Sequence, residues 1–364
     1  MLKHLALLKH SAQSLSAEAM CDLHNGDATS AATNICTLLA LAQGEHDERI
    51  VISQLVRCAI SSIGLAATWE MLQTTNLDGA QLVSVQRRWE QLHFIENVEG
   101  TLLMERASTE HTIQKMRESK GSLDLYLGGS GSSSGGAGGS GDFLDSLKET
   151  WDNAKEAGSQ HMWRSSWSYS DELQMLRVDQ ISLDASRTIA NNQVFNPAYS
   201  NMVAQLDALG VTNLPDNWMI KLDFPDYRRV FSENSRWLAS FLTRILNAEA
   251  AKRVAITAIA LKRYQLKNGK WPENLAELTP AFLPSIPLDP VDGKPLRYRR
   301  NEDDTYVLYS IGEDGVDDGG DVTPAARTSS SMVYYVNWQR ARDWVWPQPA
   351  TPAEVQYYYE HPPK

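Results

Sequence analysis

Three consecutive stretches in the last third of the chain decide its fold: Lys262-Arg263-Tyr264-Gln265-Leu266-Lys267-Asn268-Gly269-Lys270-Trp271-Pro272, then Leu288-Asp289-Pro290-Val291-Asp292-Gly293-Lys294-Pro295, then Tyr309-Ser310-Ile311-Gly312-Glu313-Asp314-Gly315. Ahead of them Leu238, Phe241, Leu242, Ile245, Leu246, Val254, Ile256, Ile259 and Ala260 recur at helical spacing. This predicts one long helix beginning near Phe231 and stopped by Asn268-Gly269, where glycine supplies the left-handed residue that ends a helix. A short helix is expected from Pro272 to Leu278. Asp289 and Asp292 stand on Pro/Gly turns, where an Asp side chain caps nearby backbone amides. Pro295 to Arg299 and Thr305 to Tyr309 alternate as the two strands of a hairpin, and Ser331 to Asn337 reads as a third strand.

After the hairpin, Glu313, Asp314, Asp317, Asp318 and Asp321 put five carboxylates into nine residues, interleaved with glycines that let the backbone curl and present its carbonyls. Hard oxygen ligands at this density suit calcium, which takes six to eight of them in flexible geometry. A solvated Asp/Gly turn is the competing reading. The EF-hand pattern is absent, since Val316 stands where a ligand would be needed after Asp314.

The order helix, Gly-x-Trp-Pro turn, Leu-rich helix, Asp-Pro-x-x-Gly-x-Pro turn, Tyr-containing hairpin and Tyr-Ser-x-Gly-x-Asp-Gly acidic loop resembles the globular domain of the major pseudopilins of type II secretion. The resemblance spans Ala255 to Asp321. It implies a long helix packed on a small antiparallel sheet, and a structural calcium in the acidic loop. Carried over by position, the ligands are Asp314, Asp317, Asp318 and Asp321, helped by carbonyls near Leu308 to Ser310. A pseudopilin also has a short basic leader, a peptidase site and an apolar anchor ahead of its spine. Here the spine follows a helical domain instead, so filament assembly by the usual route is not expected. The whole chain is similar to uncharacterised bacterial proteins in which a helical region precedes a pseudopilin-like tail. Such proteins often begin with a membrane anchor, which leaves open a missing N-terminal anchor here and leans toward an extracytoplasmic setting in the bacterial envelope.

Upstream, apolar residues at three- and four-residue spacing predict helices from Leu2 to Leu23, Ala28 to Gln43, Asp47 to Leu72, Asp78 (as N-cap) to His93, and Glu96 to Arg117. Short connections make consecutive helices antiparallel neighbours, hence a mainly α N-terminal bundle of helical hairpins. The best membrane candidate, Ile50 to Trp69, carries Gln54 and Arg57 and reads as a buried bundle helix. A Gly/Ser-rich insertion over about 119–142 contains GGSGSSSGGAGGSG, native or engineered, with nothing to bury. Helices are expected at Phe143 to Lys155, Asp171 to Ala190 and Pro197 to Leu209, with an irregular connection from Thr212 to Tyr227. The expected domains are therefore a helical bundle over 1–230 and an α+β module with its C-terminal tail over 231–364.

At 364 residues with 42% hydrophobic residues the chain is long enough for two cores. The net charge of -11 and a pI near 5.3 argue against nucleic acid and anionic lipid as partners. Cys21, Cys36 and Cys58 form no C-x-x-C pair and read as buried free thiols. Matches to G-x-S-x-G at 131–135 and G-x-G-x-x-G at 136–141 fall inside the Gly/Ser run, where composition alone produces them. His24, Asp27, His46, Asp47 and Glu48 lie on two turns that a helical hairpin can bring together, although caps are the commoner use. Trp69, Trp89, Trp151, Trp163 and Trp167 would either fill the core or line a groove for a protein partner. These features favour a non-catalytic binding or scaffold protein. The alternative is an enzyme with a carboxylate site between the two modules, drawing on Glu105 and Asp223.

Overall fold

A computed structural model of the chain describes residues 3–44, 47–118, 161–210, 237–323 and 342–347, together with Gln356, Glu360 and His361. The elements in order are α1 (Lys3–His24), α2 (Ala28–Gly44), α3 (Val51–Gln73), α4 (Gly79–Glu90), α5 (Val98–Glu118), a π-helical turn (Trp163–Trp167), α6 (Ser168–Asn192), α7 (Asn196–Ala208), α8 (Trp237–Asn268), a 3-10 turn (Leu275–Leu278), β1 (Arg297–Arg300), β2 (Tyr306–Ser310) and β3 (Trp344–Val345). The protein is mainly helical, with a small antiparallel sheet of order β1-β2-β3. Ser331 to Asn337, the Gly/Ser run, the helix expected at Phe143 to Lys155 and the connection from Thr212 to Tyr227 lie outside the described residues. The third strand that is described is Trp344–Val345, paired on β2 with Tyr309 opposite Val345 and Ser310 opposite Trp344.

By contact the chain divides into two compact units. One comprises Met1–Val98, Thr188–Ala198 and Phe241–Lys364; the other comprises Glu99–Arg187 and Tyr199–Ser240. This division does not follow the sequence boundary between 230 and 231. The first four helices share a unit with the C-terminal elements because side chains on α3, α4 and α8 reach across. Trp69 Nε1 donates to the Pro347 carbonyl at 2.8 Å and Gln86 Nε2 to the Phe282 carbonyl at 3.0 Å, and Arg263 donates to Gln86 Oε1 at 2.8 Å.

Within the first unit, α1, α2 and α3 pack on one another. Leu5, Ala12 and Ala19 form the buried line of α1, and Ala28, Ala31, Ala32, Ile35, Leu38, Leu39 and Ala42 that of α2. Small residues on these lines bring the helix backbones close. At Gly64 of α3 a Cβ would stand 2.7 Å from a Leu39 methyl, which is closer than van der Waals contact permits. Helix α3 is long and apolar enough to cross a membrane, and 67% of its most apolar window is buried inside the protein. α4 begins as expected from Asp78, whose carboxylate accepts from the Gln81 amide at 2.9 Å while Gln81 Oε1 accepts from the Asp78 amide at 3.1 Å. The two bonds form a reciprocal capping box. α8 is buried on every side from Ala248 to Leu261 apart from Lys252 and Arg253. It is the central helix of this unit.

The second unit has its own apolar cluster of Ile113, Met116, Trp163 and Met175, with Trp167 and Leu176 against it. The wide π turn at Trp163–Trp167 holds Trp163 inside, where its indole N–H donates to Asp171 at 3.2 Å. Arg117 of α5 ties to the start of α6 through the Ser168 hydroxyl and carbonyl and through Glu172, and stacks 3.9 Å over the Tyr169 ring.

One buried cation organises the bundle. Arg57 on α3 is wholly inaccessible to solvent. It donates to the Ala42 carbonyl at 2.8 Å, to Gln54 Oε1, and to the His93 carbonyl at 2.9 Å. The Ala42 carbonyl belongs to the last turn of α2, where helical carbonyls lack intrahelical donors and the macrodipole is negative. Arg57→Met is expected to lower the unfolding free energy by about 2–4 kcal/mol, because it orphans buried carbonyls at roughly 1–3 kcal/mol each. Urea unfolding of both proteins measures it, and an unchanged midpoint would contradict this role.

Candidate functional site

The C-terminal module is built around the Asp-Pro turn. Asp289 is wholly buried. Its backbone N–H donates to the Lys294 carbonyl at 2.7 Å and its carbonyl accepts from Gly293 at 2.9 Å, closing the turn. Its carboxylate accepts from the Val291 amide at 3.0 Å, the Ser310 hydroxyl at 2.8 Å and the Ile311 amide at 3.0 Å, and pairs with Arg297 at 3.2 Å. Burial pushes this carboxyl up from its ordinary value, and the two amides, the hydroxyl and the guanidinium draw it back down. The local capping expected of Asp289 is therefore present, and the same carboxylate also reaches the end of β2.

Arg297 on β1 gathers three carboxylates. It meets Asp292 at 2.6 Å, Asp289 at 3.2 Å and Asp317 at 3.3 Å, and the bond to Asp292 raises its affinity for the proton most. Asp317 also accepts from the Tyr309 hydroxyl at 2.9 Å and from the Gly319 amide at 3.1 Å. Burial works against ionising Asp317, but these donors together hold its carboxyl below the usual carboxylate range. One strand arginine and one strand tyrosine thus clamp the middle of the acidic loop.

The other expected ligands turn onto their own backbone or outward. Asp314 accepts from the Val316 amide at 3.1 Å, and Asp321 accepts from the Thr323 amide at 2.9 Å and hydroxyl at 2.8 Å. Asp318 stands 3.8 Å from Arg342. Among the described residues no group of three or more His, Cys, Asp or Glu side chains is gathered to hold a metal ion. The glycines serve close approach. Gly312, at φ 74°, lies where a Cβ would be 2.2 Å from the Arg342 carbonyl oxygen, and at Gly315, at φ 70°, one would be 2.0 Å from the Asn196 amide nitrogen.

Sequence reading missed the residue beneath this loop. Asp343, immediately before β3, is wholly buried. One of its oxygens accepts from the Gly320 amide at 2.7 Å and the Asp321 amide at 3.1 Å. The other is buried and makes no hydrogen bond of ordinary geometry among the described residues, while the Asp318 amide adds its pull on the carboxylate to that of Gly320 and Asp321. Burial raises this carboxyl above its ordinary value against the pull of the loop amides, and the nearby Asp317 charge adds to the rise. No local pattern marks Asp343, because only strand pairing brings it under a loop more than twenty residues earlier.

Asp27 caps α2 through the Ser30 amide at 3.0 Å and hydroxyl at 2.7 Å, Glu48 meets His4 at 3.5 Å, and His46 lies outside the described residues. Trp89 is buried, with its N–H on the Thr68 hydroxyl at 3.0 Å, and Trp163 is buried in the other unit's core; Trp151 lies outside the described residues. All three cysteines are free, but only Cys58 is buried; Cys36 is half-buried and Cys21 exposed, the latter against expectation. Of the two carboxylates offered for an enzyme, Asp223 lies outside the described residues. Burial raises the Glu105 carboxyl, and its neighbour Asp179 is pushed to about 6, by burial first and then by the Glu110 and Glu105 charges, with Arg106 opposing.

None of the protein-family models, curated proteins or solved structures compared with the chain matches it.

Two expectations follow from this geometry. Gly312→Ala puts a methyl into the Arg342 carbonyl at a left-handed position, and should cost on the order of 2 kcal/mol or more in thermal unfolding. For Asp179, both folded and unfolded states are protonated below its ordinary value of 3.8. As pH rises through about 6 the unfolded chain ionises first, so stability is lost across that window and stays lost above it. Asp179→Asn should therefore stabilise by on the order of 2 kcal/mol near neutral pH and by nothing near pH 3. Melting curves at the two pH values read the difference, and a gain of equal size at both would contradict it.

Proposed function

We propose that this chain is a non-catalytic binding or scaffold protein of a bacterial envelope or secretion-related assembly, with a pseudopilin-like C-terminal module that holds a structural calcium in its acidic loop. The order of elements supports the resemblance: a long helix ending at Asn268, a Trp-Pro turn, a 3-10 turn, an Asp-Pro turn, a hairpin and an acidic loop follow one another.

The observation that carries the calcium reading is the unpartnered, buried oxygen of Asp343. A carboxylate taken from water without a donor for each oxygen is costly, and a cation in the loop above it removes that cost. Asp314, Asp317, Asp318 and Asp321 supply further hard oxygens, and the exposed Asp314 and Asp318 are the least committed of them. When bound, calcium would supply positive charge to the loop and join it to the β3 end of the sheet. This chain's own residues already perform part of that joining, through Arg297, Tyr309 and the amides on Asp343.

Thermal unfolding of the EDTA-stripped protein, with calcium or magnesium added back at matched ionic strength, tests the reading. A calcium-selective rise is expected, amounting to about 2.7 kcal/mol at a hundredfold excess over Kd. Asp343→Asn should abolish that rise while leaving the metal-free protein as stable as before or more so, since it removes a buried charge. The double change Asp317→Ala, Asp318→Ala should abolish it too, from a lower baseline, because Asp317 also serves Arg297 and Tyr309. A stripped protein indifferent to calcium would overturn the site, as would a calcium effect that survives Asp343→Asn.

A further inference from the structure

A second feature of the first unit is independent of the acidic loop. Between the end of α3, the last turns of α8 and the turn of the hairpin with the start of β2 lies a cavity of about 230 Å³. Three aromatic side chains stand in its walls beside polar ones such as Gln73, Gln265 and Thr305. Trp271 and Tyr306 stand against each other with ring centroids 4.7 Å apart and planes at 59°, and Trp346 contributes a further indole. Lys262 of α8 also lines it, half-buried.

The polar groups around the cavity are unevenly committed. The Asp304 carbonyl accepts from Trp271 Nε1 at 2.9 Å and the Asp304 carboxylate pairs with Arg300 at 3.2 Å. Gln73 donates to the Trp69 carbonyl at 3.0 Å, and the Pro347 carbonyl accepts from Trp69 Nε1 at 2.8 Å. The Asp304 and Pro347 acceptors are thus engaged, whereas the Lys262 amine meets no acceptor among the described residues. Burial accordingly lowers its affinity for the proton. Among the described residues Lys262 is thus a half-buried cation with no carboxylate in ion-pair distance, beside aromatic faces, and a bound anion would offset its desolvation.

We propose that this cavity binds a small monocarboxylate with an aromatic or apolar body, the carboxylate facing the Lys262 amine and the body lying against Trp271, Tyr306 and Trp346. Size sets the class. A dry cavity of about 150 Å³ holds benzene, so the present one takes on the order of ten non-hydrogen atoms, the size of an arylalkanoic acid or of an aromatic residue at a free chain terminus. A dicarboxylate would leave its second charge against indole faces, and a cationic ligand would meet Lys262 as a like charge. This site adds a small-molecule function to the scaffold reading and stands or falls separately from the calcium.

Isothermal titration with 3-phenylpropionate, and with the uncharged 3-phenylpropanamide of the same shape, tests it. The acid is expected to bind saturably with a Kd in the high-micromolar to millimolar range typical of ligands of that size, and the amide at least about tenfold more weakly. Lys262→Met should remove the preference for the acid, whereas Lys262→Arg, which keeps the charge, should retain it. Should Lys262→Met fail to fold, the comparison of acid with amide on the unaltered protein still decides. Absence of saturable binding of the acid, equal binding of acid and amide, or a preference that survives Lys262→Met would each overturn the proposal.

Discussion

The C-terminal module depends on a single buried carboxylate. Asp289 accepts from amides on both sides of a chain crossing, Val291 in its own turn and Ile311 after β2, and its side chain has no access to water. Without those donors, burying the charge would be prohibitive. With them, the Asp-Pro turn, the start of β1 and the exit of β2 can hold only one mutual arrangement. The same turn offers the Pro290 and Val291 carbonyls to the Phe195 and Asn196 amides at 2.8 and 2.9 Å, so the link between α6 and α7 is fixed by the turn as well. Geometry set at Asp289 propagates through Arg297 to Asp317, which places the acidic loop.

That loop combines rigid and adjustable parts. Its middle is pinned by Arg297 and Tyr309 and its end by Asp343, while Asp314 and Asp318 stay at the surface. The left-handed glycines at 312 and 315 let the backbone run against the Arg342 carbonyl and Asn196 more closely than any side chain permits. A loop held in this way is fixed in its overall course, and its exposed carboxylates are the parts left to adjust.

Much of this architecture was legible because the residues that shape it act locally. Asp78 with Gln81 announces a helix start, Asn268-Gly269 a helix end, and Asp289-Pro290 a turn, and each makes its marking bond within four residues of itself. The alternation of the hairpin placed both strands to within a residue or two. What stayed hidden depends on long-range pairing. Asp343 matters only because β3 joins β2, and Lys262 only because the end of α3 and the hairpin close around it. The partnership of α8 with the first four helices was hidden for another reason. From Ala248 to Leu261 this helix is apolar nearly all round, so its pattern points to no particular neighbour. Trp89 and Trp163 show the converse. Composition left core packing and a groove both open for them, and each fills a core site with an acceptor in place for its indole N–H.

The division of the first unit into Met1–Val98, Thr188–Ala198 and Phe241–Lys364 governs how the protein is made. A ribosome adding residues at roughly 5–20 per second takes on the order of ten seconds to travel from the end of the first segment to the start of the last. Throughout that interval the first four helices exist without α8. The surfaces they present to it, among them the Gln86 amide and the Trp69 indole that pair with Phe282 and Pro347, must wait in water. The unit therefore closes late in synthesis, when contacts of long sequence separation such as that of Trp69 with Pro347 can first form.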